Sequence, residues 1–541
     1  MSELWIIEAP GKARTLEGIL ARLGLDAAVQ ATKGHLLQMP ESLGTLGIDK
    51  DFHEYARAPQ DLDLYKRIRT MARSASKVII ATDADSEGDV IAWDVAEAIA
   101  DIQPHPVRVR LKGMDDESIQ EALGAATEVL KADAIPGRTR AIIDRMIGAT
   151  FSKPGVTVGR VATAMLGVVI TEKPTVWRLN LSAPAKDGGR PWLTNVDVKP
   201  PMSLSDARKL EKTAFPALSM KSSDHAVSQP AHMGDIIVRA SEELDMRPSE
   251  TARALQRSYE AGKMSYPRSG SRGMSPIAAR KLKKILQKSG YKFNEESVAG
   301  KPESDVHDAP YPIGNVDVTN NPARLGEDEG VRGLVARDLI KTGQKHVKET
   351  ADSSKIRNHL LSEGFSPEVA QMIASLNWHR EQGPRYPGQV SWSESRLEKR
   401  NQDAVLMESI MKAGLGRPST WPNHIESFLK RNLVDDDFKL TEKGKSWLRQ
   451  SPRELINPKL SVAIENACEN ATANLDVSGR EPWEVLAQKI VTALPGNIQA
   501  PLVGSVENVQ SRPRTDFRHM VEAGIDFDSL TVHNAFAYTP D

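Results

Sequence analysis

Residues 78–93 read VIIATDADSEGDVIAW. Val78, Ile79, Ile80 and Ala81 form a short apolar run of the kind that makes a fully buried strand. Three acids follow at alternate positions, Asp83, Asp85 and Glu87, and then Gly88. From Val90 to Ala100 the apolar residues recur at helical spacing. The N-terminus repeats this pattern. Leu4 to Ile7 form an apolar run closed by Glu8 and a Pro10-Gly11 turn, and Lys12 to Leu23 has helical spacing. Strand, acidic turn and helix in repetition predict a parallel α/β sheet, whose ligands sit beyond the carboxyl ends of its strands.

Glu8, Asp83, Asp85 and Glu87 therefore stand near two predicted strand ends. Close like charges cost energy unless a cation neutralises them. Hard oxygen donors of this type suit Mg²⁺, which keeps several waters and bridges to phosphate. An isolated Asp-x-Asp is usually a solvated turn. Here the buried strand before it, Gly88 after it and a second strand ending in glutamate favour the metal reading. No GxxxxGK[ST] loop and no GxGxxG after a strand is present, so nucleotide hydrolysis and dinucleotide redox chemistry lack their usual carriers.

The 541 residues, at roughly 150 per domain, suggest three to four domains. With 71 basic and 72 acidic residues the net charge is -1, which excludes a uniformly basic coat and confines any nucleic-acid surface to a local patch. The single cysteine, Cys468, excludes intrachain disulfides and CxxC zinc fingers. The first residues lack the apolar stretch of a secretory signal. The longest small-apolar run, Val161 to Ile170, is about half a membrane span. The expectation is a soluble, cytoplasmic protein.

The local patch is found at residues 251–290, which hold ten Lys or Arg and one acid, Glu260, a balance of +9. Such a run is as often a solvated face as the footprint of a phosphate backbone. Inside it lies Ser265-Tyr266-Pro267-Arg268-Ser269-Gly270-Ser271. Pro267 sets a rigid turn and blocks continuation of the helix ending near Gly262. Tyr266 is thereby placed on a turn between hydroxyls, with Arg268 two residues on. A phenol is a poor nucleophile at its free pKa of ~10, and a neighbouring guanidinium favours the phenolate. Arginine also stabilises a phosphoryl transition state by paired hydrogen bonds.

Taken together, IIEAPGKART (6–15), ATDADSEGDVIAW (81–93), IIDRMIGATFS (142–152), GRVATAMLG (159–167), SYPRSGS (265–271), VHDAPYP (306–312) and GLGRPSTW (414–421) resemble the type IA DNA topoisomerases, in the family's order. SYPRS and GRVxTxxLG lean toward the topoisomerase III branch. The resemblance implies an ATP-independent enzyme with Tyr266 as the nucleophile that cleaves one DNA strand and holds its 5′ phosphate. Arg268 and Lys12 would stabilise the charged phosphate, Glu8 would assist proton transfer at the leaving 3′ hydroxyl, and His307 matches the family's histidine near the tyrosine. Asp83, Asp85, Glu87 and Glu8 would bind Mg²⁺. Arg140, Arg145, Arg160, Arg417 and Arg431 match basic positions of the single-strand groove, with Gln256, Glu260, Ser269 and Ser419 as further DNA contacts. Gln256 and Glu260 share one helical face. The implied partner is DNA, single-stranded segments in particular, bound by a monomer with no membrane and no nucleotide cofactor.

The implied fold is multidomain α/β plus α and β, a TOPRIM domain within a four-domain toroid. TOPRIM covers 1–120, a helical groove domain 121–178 and 380–492, and a β-rich arch 179–235 and 346–379. The tyrosine domain covers 236–345, and 493–541 form an appendage. Three positions depart from the family pattern. Ser86 stands where an arginine is usual, Gly270 where an acid is usual, and Asp94 where a histidine is more typical. Ser86 and Gly270 motivate an alternative, a catalytically weak toroidal single-strand-binding protein of a mobile element or virus. A TOPRIM nuclease or primase is a third reading, which would leave Tyr266 without a task.

Overall fold

The computed structural model describes residues 2–171, 176–226, 228–294, 298, 308–318, 320–387, 392–436, 438–470 and 479–512. His307 and the tail after Arg512 lie outside the described residues.

The two apolar runs are adjacent strands. Glu3–Ile7 pairs in parallel with Ala27–Ala31 on one side and Val78–Ile80 on the other, and Val107–Arg108 extends the parallel ladder. Thr127–Glu128 closes the five-stranded sheet antiparallel. Because both faces are covered, these strands are apolar without alternation: Trp5, Ile6, Ile7 and Ile80 are fully buried. Leu4, Ile6, Val78 and Ile80 pack with the helices Leu62–Ser74 and Ser86–Ala98. Trp5, Ile7 and Ile79 face the helix Ala13–Arg22 and, from a segment far along the chain, Tyr259 and Tyr266. One core thus joins the acid-bearing sheet to the tyrosine segment.

A second sheet is antiparallel throughout, in the order Met220–Ala226, His346–Ala351, His379–Gln382, Trp192–Asp197, Trp177–Ala183, Arg396–Lys399. Its own core holds Leu179, Leu181, Trp192 and Trp378. Two of its strands, HREQ and RLEK, lie wholly or mostly past the anticipated arch boundary at 379. Both are short and mostly charged, so no apolar alternation marks them in the sequence.

Most of the remaining helices share one large core, while Leu204–Lys212, Ile356–Ser362 and Pro367–Ala374 pack in the core of the second sheet. The large core contains the long helix Lys131–Phe151, the helices Met233–Leu244 and Pro248–Glu260 that precede the tyrosine, and Pro458–Glu469. Among the described residues no helix is long and apolar enough to cross a membrane.

The anticipated appendage from 493 is revised by this core. Gly496–Glu507 is a helix packed on Lys131–Phe151, with Ile498, Leu502 and Val506 buried. The apolar stripe at i, i+4 and i+8 is genuine helical spacing, which Pro501, Gly504 and the polar residues between it obscure. Truncation before Gly496 is therefore expected to destabilise the protein by several kcal/mol, since three large apolar side chains contribute ~1.5–3 kcal/mol each on burial. Comparing the truncated protein's urea melt with that of the full chain checks this.

Candidate active site

Backbone pairing fixes where the tyrosine goes. The helix Pro248–Glu260 ends at Gly262, whose φ of +71° and 2.4 Å approach to the Met114 carbonyl leave no room for a Cβ. The chain then runs beside the parallel sheet. Tyr266 N–H donates to the Lys112 carbonyl at 2.8 Å, and Ser265 N–H donates to the Tyr311 carbonyl at 2.9 Å. Tyr266 is consequently 3% exposed, with its hydroxyl donating to Asp85 Oδ2. Its ring meets that of Tyr259 edge-on, 5.5 Å between centroids.

Three of the four acids, Asp83, Asp85 and Glu87, are each held by a protein group. Asp85 caps the helix Ser86–Ala98, its Oδ1 accepting from Gly88 N–H at 2.7 Å. Gly88 is required there, because a Cβ would stand 2.2 Å from the Asp83 carbonyl oxygen. Asp83 pairs with the fully buried Lys12 and accepts from the Tyr259 hydroxyl at 3.1 Å. The Lys12 ammonium lies 4.8 Å from the Tyr259 ring centre, a cation–π contact. Glu87 lies 3.5 Å from His35, whose hydrogen bond holds its carboxyl below the ordinary value. Glu8 differs: its Oε2 is buried without a partner. Burial, and then the charge of Asp83, push the Glu8 carboxyl up to about 8.

Among the described residues no group of three His, Cys, Asp or Glu side chains is poised to hold a metal ion. The carboxylates instead face Lys12, the two tyrosines, the Gly88 amide and His35. The donor set nevertheless fits a hard divalent cation in its chemistry. One buried Glu8 oxygen is orphaned, and Asp83, Asp85 and Glu87 all raise the Glu8 pKa by repulsion, a repulsion that a cation relieves.

Arg268 reaches the same acids. Burial works against its charge, but Tyr266, Asp83, Glu8 and Asp85 outweigh that and hold its pKa above the ordinary arginine value. The expected activation of the phenol by Arg268 is reversed as the site stands. Burial, then the charge of Asp85, raise the Tyr266 pKa well above that of a free phenol, and Arg268 only opposes them. The hydroxyl is a neutral donor to a carboxylate.

Beside this cluster opens a cleft of about 1090 Å³ lined by Asp85, Glu87, Arg268, Arg140, Arg160 and Arg417 among others. Ser419 and Arg145 also line it. Arg145 turns its guanidinium to the carbonyls of Pro40, Ser42 and Leu46 at 2.8, 2.7 and 3.1 Å, so it braces a loop. Arg431 lies outside the lining, donating to Thr157 at 2.9 Å with its guanidinium over the Trp447 ring. Ser269 is fully buried, and its Oγ accepts from Ser271 N–H; it shapes the segment that follows the tyrosine. Gln256 donates to Glu260 at 2.9 Å, and Glu260 Oε2 stands where a Cβ on Gly11 would be, against the loop that carries Lys12.

The +9 segment is largely paired within the protein. Arg257 meets Glu327 and Asp328, Lys263 meets Glu329, Arg272 meets Asp235, and Lys281 meets Asp115. The acids come from elsewhere in the chain, so counting charge locally overstated the free basic surface. The departures from the family pattern also acquire places. Ser86 Oγ accepts from Arg417 at 2.5 Å. Asp94 is buried and paired with Arg57 at 2.5 Å. A Cβ at Gly270 would meet open space.

Four participants escaped the sequence reading: Tyr259, His35, and the carboxylates Glu465 and Glu469 that meet the cleft arginines. An aromatic on the apolar face of an amphipathic helix signals only core, and Tyr259 offered nothing more.

Comparison with known proteins agrees with this arrangement. A family model described as Toprim domain matches residues 3–112, and one described as DNA topoisomerase matches residues 207–473. DNA topoisomerase 1 of Aquifex aeolicus is 23% identical over 80% of this chain and 87% of its own. Reverse gyrase 2 of Aeropyrum pernix is 23% identical over 90% of this chain and 47% of its own. The solved structure of full-length topoisomerase I from Thermotoga maritima superposes with a TM-score of 0.58 at 16% identity, covering 98% of this chain and 91% of that one, and shows the same fold. With both matched domains in one chain and the tyrosine seated on the Toprim acids, the chain belongs to the type IA DNA topoisomerases, isomerases that break and rejoin single DNA strands.

Proposed function

We propose that Tyr266 is the residue that breaks the strand, in an ATP-independent cycle of cleavage, strand passage and religation. One observation carries this reading: the Tyr266 hydroxyl is buried on Asp85, beside Arg268 and next to the arginine-lined cleft. The phenolic oxygen attacks the phosphorus of one phosphodiester and its proton passes to Asp85. The bond to the 3′ oxygen breaks, so Tyr266 keeps the 5′ phosphate. Glu8, held up to about 8, is protonated at neutral pH and supplies the proton to the leaving 3′ oxygen. Arg268 offers paired donors to the equatorial oxygens, where charge accumulates. Lys12 and Tyr259 keep Asp83 in place. One ester is exchanged for another, so energy stays in the phosphotyrosine link and no nucleotide is needed.

Asp83, Asp85 and Glu87 would hold a magnesium ion, which leaves Glu8 to carry the proton. Bound there, it would neutralise their mutual repulsion and that of the incoming phosphate. The substrate strand is single-stranded DNA lying in the cleft past Arg140, Arg160, Arg417 and Ser419. His307, outside the described residues, matches a histidine of the family in sequence position. The protein acts as a monomer, with its acids on the 1–120 domain and its tyrosine on the 236–345 domain, so that the two can part with the cut ends held. The alternative of a weak binding protein is not favoured, because every group the chemistry uses is present. Relaxation of negatively supercoiled plasmid with Mg²⁺ and no ATP is the test. Relaxation that requires ATP, or persists in EDTA, would refute the reading.

A further inference from the structure

Three cleft arginines converge on one helix, Pro458–Glu469. Glu465, with 18% of its side chain exposed, lies 3.1 Å from Arg140, 3.0 Å from Arg160 and 2.6 Å from Arg417. Asp144 takes the other side of Arg160 at 2.7 Å. Three guanidinium groups therefore share Glu465, Asp144 and Glu469, and the cluster is neutral as it stands. The basic character that family resemblance assigns to this groove is cancelled from within.

The three acids are not equivalent. Glu465 is enclosed by all three arginines and holds them in place. Glu469 is 46% exposed at the mouth and touches two of them, Arg140 at 2.8 Å and Arg417. Exposed ion pairs hold weakly, because water and salt compete for both partners. A carboxylate and a phosphate also offer a guanidinium the same pair of acceptor oxygens. Arg417 would not lose its orientation if Glu469 left, since Glu465 and the Ser86 hydroxyl at 2.5 Å remain on it. Ser86 is thus more than a missing arginine. An arginine at 86 would set another guanidinium against Arg417, whereas a hydroxyl accepts from it.

We propose that Glu469 is an exchangeable substitute for a DNA phosphate. It occupies Arg140 and Arg417 while the cleft is empty, gives them up to a backbone phosphate when a strand enters, and recaptures them as the strand leaves. This rests on the reading of the cleft as the strand's path. The function of the exchange is release: a strand that must be bound, moved and freed in each cycle meets a built-in competitor. The same competitor lowers the salt dependence of binding, because one of the anions displaced by DNA is part of the protein.

The experiment measures binding of a fluorescent single-stranded oligonucleotide to the full chain at several salt concentrations. All proteins carry Tyr266→Phe, so that nothing is cut. Adding Glu469→Gln is expected to tighten binding by roughly three- to tenfold at low salt and to steepen the salt slope by about one ion. Glu469→Ala should do the same, which guards against a glutamine that keeps the contact. Arg417→Ala is the control and should weaken binding. If Arg417→Ala binds as tightly as its parent, the cleft is not the strand's path and both readings fall. If Arg417→Ala weakens binding while neither Glu469 variant tightens it, the exchange alone is overturned.

Discussion

Tyr266→Phe abolishes plasmid relaxation, by at least about a thousandfold, because no other nucleophile replaces the phenolic oxygen. The rest of the molecule should barely notice the change. The ring remains against Tyr259 and the sheet core, and the lost group is one hydroxyl whose partner, Asp85, keeps the Gly88 amide. Oligonucleotide affinity is expected to stay within about twofold of the parent, since the cleft arginines are untouched. Relaxation and binding assays on the same preparation check both halves. A variant that relaxes plasmid would remove Tyr266 from the chemistry. One that neither relaxes nor binds would instead point to a structural role.

The second large effect concerns Lys12 and Asp83, whose side chains are 1% and 3% exposed. Removing one partner of a buried pair leaves the other charge uncompensated, at a cost of ~3–5 kcal/mol. Asp83 would be left beside Asp85 and Glu8 with the Tyr259 hydroxyl as its hydrogen-bond donor and the charge of Arg268 as a weaker counterweight. Lys12→Met is therefore expected to lower stability by that amount in urea unfolding. The double variant Lys12→Met with Asp83→Asn should recover a substantial part of it, because no isolated charge then remains. Equal destabilisation of single and double variants would show that the pair is not coupled and that Lys12 acts through packing alone.

Much of the acid-bearing half of the site was legible in the sequence, for a physical reason. A strand buried on both faces is a continuous apolar run, and its end is marked by the polar turn that must follow. Val78 to Ala81 with DADSEG, and Leu4 to Ile7 with Glu8, satisfy both conditions. Pro267 predicted a turn at Tyr266, whereas the segment is extended, bridging Gly113 and Pro312 through Ser265 and Met264. What could not be read was which charge meets which. Arg140 and Glu469 are far apart in the sequence yet 2.8 Å apart in space, and Arg257 is neutralised by the first turn of a helix some seventy residues on. A local sum of charge cannot see such partners, so the 251–290 segment looked barer than it is. The phenol was misjudged for the same reason. Arg268 is visible two residues away, but the burial and the Asp85 carboxylate that hold the proton on Tyr266 are products of the fold. Short charged strands such as His379–Gln382 belong to a sheet only because other strands flank them.

The central claim is that Tyr266 forms a covalent link to the 5′ side of the cut strand. The most direct measurement mixes the full chain with a single-stranded oligonucleotide labelled at its 3′ end, adds Mg²⁺, traps the intermediate with denaturant, and maps the labelled peptide by mass spectrometry. The account predicts label on the peptide containing Ser265-Tyr266-Pro267, with the phosphate on the tyrosine oxygen, and none on the Tyr266→Phe variant. Label transferred only from a 5′-labelled strand, or found on any other residue, would contradict it.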